Sequence, residues 1–334
     1  MSEQKKHVLV TGGAGYIGSH VAKALAAKNF IPVTYDNFVR GHRWAVQWGP
    51  LVEGDIGDRQ KLISVLRRYE IAAVLHLAAF AYVGESMLLP ERYFENNVTG
   101  SLTLFDAALA CGVRHLVFSS SCATYGIPER VPITEETPQH PVNPYGETKL
   151  IIERALRWYG GAHPLTWTAL RYFNAAGADP DGDLGEMHSP ETHLIPLVLD
   201  AAQGGKPIEI YGDDYPTHDG TCVRDYIHVT DLAEAHVRAL DYLLHGGRSM
   251  ALNLGTGAGH TVREVIQAAQ AVTGREVPCR IAPRRPGDPA ALIADPRLAA
   301  TVLGWQPRYS ALDSIVGSAW KWCCRQAAHA SEPS

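Results

Sequence analysis

The stretch VLVTGGAGYIGSH, residues 8–20, sets glycines at 12, 13, 15 and 18 directly behind a short apolar run. Glycine at that density weakens helices and strands alike, so it belongs where the backbone must turn tightly or approach a ligand. HVLV reads as a buried strand, and the segment from Tyr16 to Lys28 carries Ile17, Val21, Ala24 and Leu25 on one helical face. The glycines therefore occupy a strand-to-helix turn. Free backbone N–H groups and the helix dipole make such a turn a site for an anion, a pyrophosphate above all. A second apolar run, IPVTYDN, ends at Asp36, 18 residues after Gly18. A parallel second strand would bring that carboxylate to an adenosine ribose, where it accepts hydrogen bonds from hydroxyls and repels a 2′-phosphate. The order strand, glycines, helix, strand, acid thus points to a dinucleotide site that takes NAD in preference to NADP.

Composition agrees with an enzyme of this kind. With 334 residues, 46% of them hydrophobic and 19% charged, the chain can bury one large domain or two moderate ones. A net charge of −5 without a long basic run excludes a nucleic-acid surface as the main function. No stretch of about 18 uninterrupted apolar residues offers a membrane span, and MSEQKKH has no apolar signal core, so no membrane partner and a cytoplasmic location are expected. The six cysteines show no CxxC spacing, which fits reduced thiols and not a disulfide framework or zinc site. Asp179, Asp181 and Asp183 in ADPDGDLGE alternate as calcium ligands do, but the sixth and twelfth positions are Leu184 and Pro190, where an EF-hand loop needs glycine and glutamate. No metal site is expected.

Strands and helices alternate through the first half. AAVLHLAA (72–79) and HLVFSSS (115–121) read as strands, with a long helix from Pro90 to Cys111 between them. The pattern predicts an α/β protein, a Rossmann-type doubly wound parallel sheet with a smaller C-terminal substrate-binding α/β domain. The texture changes near residue 175, where Gly, Pro and Asp crowd the sequence. Residues 1–174 are therefore assigned to an NAD-binding domain and 175–334 mainly to a second, smaller substrate-binding domain, with segments near 223–257 returning to the first. AAHASEPS is read as a tail.

In NPYGETK (143–149), Tyr145 and Lys149 are four residues apart and share one face of a helix. A lysine ammonium near a phenol favours the phenolate, which would make Tyr145 a base near neutral pH. Ser119, Ser120 and Ser121 close a predicted strand about 25 residues upstream, where a hydroxyl could meet the same substrate oxygen.

Together these features resemble the extended branch of the short-chain dehydrogenase/reductase superfamily, whose TGxxGxxG fingerprint matches TGGAGYIGSH. The likeness extends from about residue 7 to 325. VGES (83–86), ENNVTG (95–100), SSSCATYG (119–126), NPYGETK, LRYFNAAGADPDGDLGE from 170, ETHLIP (191–196), DYPTHDGTCVRDYIHVTDLA from 214 and RRPGD from 284 resemble the UDP-glucose 4-epimerase family. The resemblance implies that Gly12, Gly15, Tyr16 and Ile17 hold the NAD pyrophosphate, that Asp36 and Asn37 take the ribose, and that Asp55 and Ile56 flank the adenine. Leu77, Ala78, Ala79, Asn96 and Ser119 would line the rest of the groove, with Tyr172 near the nicotinamide. Ser121, Tyr145 and Lys149 would be the catalytic set, the last two also touching the cofactor. Asn174, His193, Leu194, Tyr211, Arg224, Tyr226, Arg285 and Asp288 match positions that bind the UDP-sugar. Leu292 matches a gate where a bulky residue excludes an N-acetyl group and a smaller one admits it. A homodimer is implied too. Two departures stand out: Ala81 replaces a lysine that contacts NAD in some members, and His193 replaces an asparagine.

The activity so implied is reversible C4 epimerisation of UDP-glucose and UDP-galactose through a 4-keto sugar, with NAD tightly held. Alternatives are a 4-epimerase of N-acetylated or pentose UDP-sugars, a nucleotide-sugar dehydratase, or a non-catalytic sensor. Dehydratases resemble one another in an Asp-Glu pair after the serine position, where this chain has Cys122-Ala123. A pure sensor has no need of the acid–base set.

Overall fold

A computed structural model of the protein describes residues 5–285 and 287–331. Its strands are β1 (His7–Thr11), β2 (Ile31–Asp36), β3 (Leu51–Glu53), β4 (Ala73–His76), β5 (His115–Ser121), β6 (Thr166–Tyr172), β7 (Asn174–Ala176), β8 (Ile208–Tyr211), β9 (Val223–Arg224), β10 (Tyr226–His228), β11 (Met250–Leu254), β12 (His260–Thr261), β13 (Cys279–Ala282) and β14 (Ala291–Leu292). Its helices are α1 (Tyr16–Ala27), α2 (Arg59–Arg68), α3 (Val83–Leu88), α4 (Pro90–Tyr93), α5 (Gly100–Ala110), α6 (Pro144–Ala162), α7 (Leu194–Ala202), α8 (Val229–Leu244), α9 (Val262–Thr273), α10 (Arg297–Leu303) and α11 (Leu312–Ser331).

Seven strands form one parallel sheet in the order β11-β6-β5-β4-β1-β2-β3. The order reverses between β1 and β4, and in open α/β sheets ligands bind in the crevice at such a point. One face is sealed by α1 and α8, whose Val21, Leu25, Leu232 and Leu240 pack on Val10, Leu75 and Leu252; the other carries Leu62, Phe105 and Leu156 from α2, α5 and α6 against Leu9, Val74 and Phe118. Strands covered on both faces read as continuous apolar runs for this reason. A separate core joins α7, α9 and α11, with Val198, Val265 and Val316 fully buried.

The long helix expected over Pro90–Cys111 is interrupted by a π-turn at Phe94–Thr99 between α4 and α5. Buried Asn97 in that turn accepts from the Phe80 N–H (2.9 Å) and donates to the Phe80 carbonyl (3.0 Å), which fixes the loop after β4 at the sheet's ligand edge. The stretch read as a tail is largely helical, because α11 runs to Ser331; residues 332–334 lie outside those described. The six cysteines are unpaired.

Candidate active site

The carboxyl ends of the sheet strands open into a cavity of about 940 Å³. The glycine turn forms its floor. Gly12 has φ +70°, and a Cβ there would lie 2.7 Å from the Ala78 nitrogen; one at Gly18 would lie 2.1 Å from the Gly12 carbonyl oxygen. Gly12 therefore lets the turn press against the loop after β4, and Gly18 lets α1 meet the end of β1 this closely. At Gly15, the N-cap of α1, an added Cβ would meet only the Gly12 oxygen, at 3.3 Å. No side chain caps α1 and no acid sits in its first turn, so its positive end faces the cavity undiluted. Asp36 stands on the adjoining wall with Oδ2 accepting from Ala14 N–H (3.0 Å) and Oδ1 from Phe38 N–H (2.8 Å). Burial raises its pKa, and those two bonds oppose the rise. A diphosphate cradle beside an oriented carboxylate fits the donors and acceptors of NAD.

Along the same groove lie Tyr16, Ile17, Asn37, Ile56, Leu77, Ala78, Ala79 and Asn96, all expected there, and Ala81 as well. Asp55 and Ser119 are not on the wall. Asp55 is turned to Asn37 Nδ2 (2.8 Å) and the Gly57 N–H (2.8 Å). The Ser119 hydroxyl lies behind the wall, 2.8 Å from His236 Nε2, and what it presents to the site is its carbonyl.

The residues expected to form the acid–base set converge at the end of β5. Asn143 caps α6 by accepting from Gly146 N–H (2.8 Å), and Pro144 starts the helix, which places Tyr145 in its first turn. A Cβ at Gly146 would come within 2.5 Å of the Ala123 oxygen, so glycine lets α6 sit on the turn that follows β5. Tyr145 and Lys149, one helical turn apart, both reach the cavity, as does Ser121, which pairs with Tyr172 across β5 and β6. The Ser121 hydroxyl interacts with the Tyr145 phenol and favours its ionised form. Lys149 is 2% exposed; its Nζ donates to the Ser119 carbonyl at 2.8 Å and lies 5.8 Å from the Tyr145 ring centre. Burial pulls its ammonium down to about 7, against the attraction of Glu153. The expected phenolate is not what this arrangement holds. Burial pushes the Tyr145 phenol up to about 12, outweighing the effect of Ser121.

On the opposite wall, Asn174, His193, Arg224, Arg285, Asp288 and Leu292 all face the cavity. Arg224 is ion-paired to Asp288 and donates to the carbonyls of Val223 and Pro289. Arg285 stacks on Tyr211, 3.8 Å from its ring centre. Tyr211 itself, with Leu194 and Tyr226, is absent from the wall: the Tyr211 hydroxyl binds Glu209 (2.6 Å), Leu194 packs against the core of α7, and Tyr226 is buried in that core. His193 Nδ1 points to Glu186 and Glu191, which leaves only Nε2 for a phosphate. Three contributors went unread in the sequence. Arg40 donates to the Ser189 carbonyl (2.7 Å) and Glu85 (3.1 Å) above Tyr82, while His188 stands edge-on to Tyr82. Behind β5 and β6, buried Glu153 takes Ser120 Oγ (2.6 Å) and the Arg171 guanidinium (2.6 Å), and Arg171 binds Tyr125, which binds Asn253.

Residues 8–255 match the family model described as the NAD dependent epimerase/dehydratase family. The UDP-glucose 4-epimerase of Rhizobium meliloti is 55% identical over 97% of this chain and 98% of its own. That of Lacticaseibacillus casei is 49% identical over 94% and 96%. The crystal structure of UDP-glucose 4-epimerase from Brucella ovis in complex with NAD superposes with a TM-score of 0.93 at 54% identity, covering 95% of this chain and 98% of that one. The chain therefore belongs to the NAD dependent epimerase/dehydratase family, among the UDP-glucose 4-epimerases.

Proposed function

We propose that the protein interconverts UDP-glucose and UDP-galactose by inverting C4 of the sugar, with NAD held throughout. The observation that carries this is the convergence of Ser121, Tyr145 and Lys149 on the same cavity as the uncapped glycine turn and Asp36. When bound, NAD supplies a hydride acceptor that can return what it takes, and a positive charge near Tyr145. Tyr145 accepts the proton of the sugar 4-hydroxyl and later returns it, with Ser121 holding the same oxygen in line. Lys149, anchored on the Ser119 carbonyl, keeps a positive or readily protonated group beside the phenol. Arg224 and Arg285 offer two guanidinium forks to the diphosphate, one of them released when phosphate replaces the Asp288 carboxylate. A sugar held by its diphosphate alone can present either face to the same acid–base pair.

Residues 1–174 hold the cofactor in this reading, and 175–334 mainly the sugar nucleotide, with α8 and β11 packed back on the first sheet. The reading extends to a homodimer serving galactose metabolism in the cytoplasm. Trp158 on α6, 81% exposed, supports a covered surface there, and light scattering tests it. No described helix is long and apolar enough to cross a membrane. The function is tested by incubating purified protein with UDP-galactose and following UDP-glucose by NMR across a panel of UDP-sugars. Conversion of another UDP-sugar with none of UDP-galactose would reassign the substrate, and no conversion of any would end the reading.

A further inference from the structure

Between β7 and α7 the chain passes over the cavity rim, and four side chains meet there: Glu186, His188, Glu191 and His193. One candidate ligand atom from each lies within 4.8 Å of all the others. His188 Nδ1 is 3.1 Å from Glu186 Oε1 and 3.6 Å from Glu191 Oε2; His193 Nδ1 is 2.5 Å from Glu186 Oε1 and 3.4 Å from Glu191 Oε1. Around a tetrahedral ion with bonds of about 2.0–2.2 Å, neighbouring ligand atoms stand about 3.4 Å apart. Three of these four imidazole–carboxylate distances lie within a few tenths of an ångström of that spacing, the two to Glu191 being made to different oxygens.

A second observation separates this cluster from an ordinary ion-pair network. Glu186 Oε1 and His188 Nδ1 are shielded from solvent, yet neither makes a hydrogen bond of acceptable geometry, and the Glu186 side chain is only 6% exposed. The atoms are near enough to attract but misaligned for a proton between them, and a buried polar atom left so is costly. Four donor atoms gathered this closely suit a cation. The nearby triad Asp179, Asp181 and Asp183 makes the contrast plain: Lys23 Nζ sits among the three carboxylates at 2.7, 2.8 and 2.9 Å, so a side-chain cation already fills that place. Arg40, the guanidinium on the rim, is spent on Ser189 and Glu85.

We propose that Glu186, His188, Glu191 and His193 bind one divalent transition-metal ion of the zinc class. Two imidazoles with two carboxylates suit zinc better than magnesium or calcium, which favour all-oxygen shells. The His188 ring packs edge-on to Tyr16 (6.2 Å) and Tyr82 (5.9 Å), so the ion fastens this segment against the glycine turn.

The test uses the full-length protein, dialysed against EDTA and titrated with Co²⁺ and then Zn²⁺. One ion per chain and a visible cobalt absorption of four-coordinate type that Zn²⁺ abolishes are expected. Glu191→Gln, nearly isosteric, and His188→Ala should each weaken binding by at least about tenfold, while Asp181→Asn leaves it unchanged. Absence of binding up to about 100 µM Zn²⁺ overturns the site, as does equal affinity in Glu191→Gln. The cobalt spectrum of the wild-type protein decides the matter even if His188→Ala fails to fold.

Discussion

Replacing Lys149 by methionine should abolish turnover and yet stabilise the protein. The ammonium is 2% exposed, and its pKa falls from the ordinary 10.5 to about 7 chiefly through burial. At 1.36 kcal/mol per pH unit that difference means the charged form costs about 5 kcal/mol in the folded chain. Methionine has a similar length and no charge to desolvate, but it strands the Ser119 carbonyl that Lys149 now satisfies at 2.8 Å, a loss of about 1–3 kcal/mol. A net gain of about 2–4 kcal/mol remains at pH 6. The native amine releases its proton near pH 7, while the unfolded one keeps it to about 10.5. Between those values the unfolded chain binds more protons, so wild-type stability climbs with pH, whereas the variant lacks this slope. Its advantage is therefore full below about pH 7 and has vanished by about pH 10.5. Urea unfolding of both proteins, freed of dinucleotide so that ligand does not hold up the native state, gives the two midpoints at pH 6 and 9.5. A variant less stable than wild type at pH 6, or a gap that fails to narrow at pH 9.5, would refute the argument.

Tyr145→Phe should lower turnover by about 10²–10⁴-fold with little change in UDP-sugar affinity, since the phenol acts in proton transfer; unchanged turnover removes the assignment. Asp36→Ala should raise the NAD dissociation constant by about tenfold or more, read by fluorescence titration, because a charge-assisted ribose contact is lost; an unaltered constant would mean that the ribose lies elsewhere. Leu292→Tyr should suppress any activity on N-acetylhexosamine UDP-sugars while sparing glucose and galactose, the discrimination being about 1–3 kcal/mol. Equal loss on both classes would make Leu292, which pairs with Arg224 across β14 and β9, a packing residue.

What the sequence revealed was local. The glycine turn and Asp36 lie within one strand–helix–strand unit, and Tyr145 with Lys149 within one helical turn, so fixed offsets located them. Residues joined across the fold left no such trace. Glu153 meets Arg171 and Ser120 at separations of 18 and 33 residues, and Tyr125 meets Asn253 at 128. The serine run shows the limit within a single strand. Ser120 turns to the α6 face and Glu153, Ser119 lies under α8 against His236, and only Ser121, at the strand's end, reaches the cavity. Motif matching alone placed Ser119, Tyr211 and Tyr226 with the ligands. Packing assigns them to a lysine anchor, a platform for Arg285 and a core position.

The same distinction governs the proton on Tyr145. Helical spacing says which groups are neighbours, and from it alone a lysine beside a tyrosine argues for a phenolate. The side chains divide the charge otherwise. Lys149 spends its ammonium on the Ser119 carbonyl, 5.8 Å from the Tyr145 ring, and burial weakens that ammonium while holding the phenol at about 12. One buried cation so placed does not offset desolvation of a phenolate, because desolvation acts on both members of the pair and favours the neutral form of each. A working base therefore needs more positive charge than these two residues supply. The open, uncapped groove that Tyr145 also lines admits a cofactor able to bring it, which would couple the proposed acid–base role of Tyr145 to cofactor occupancy.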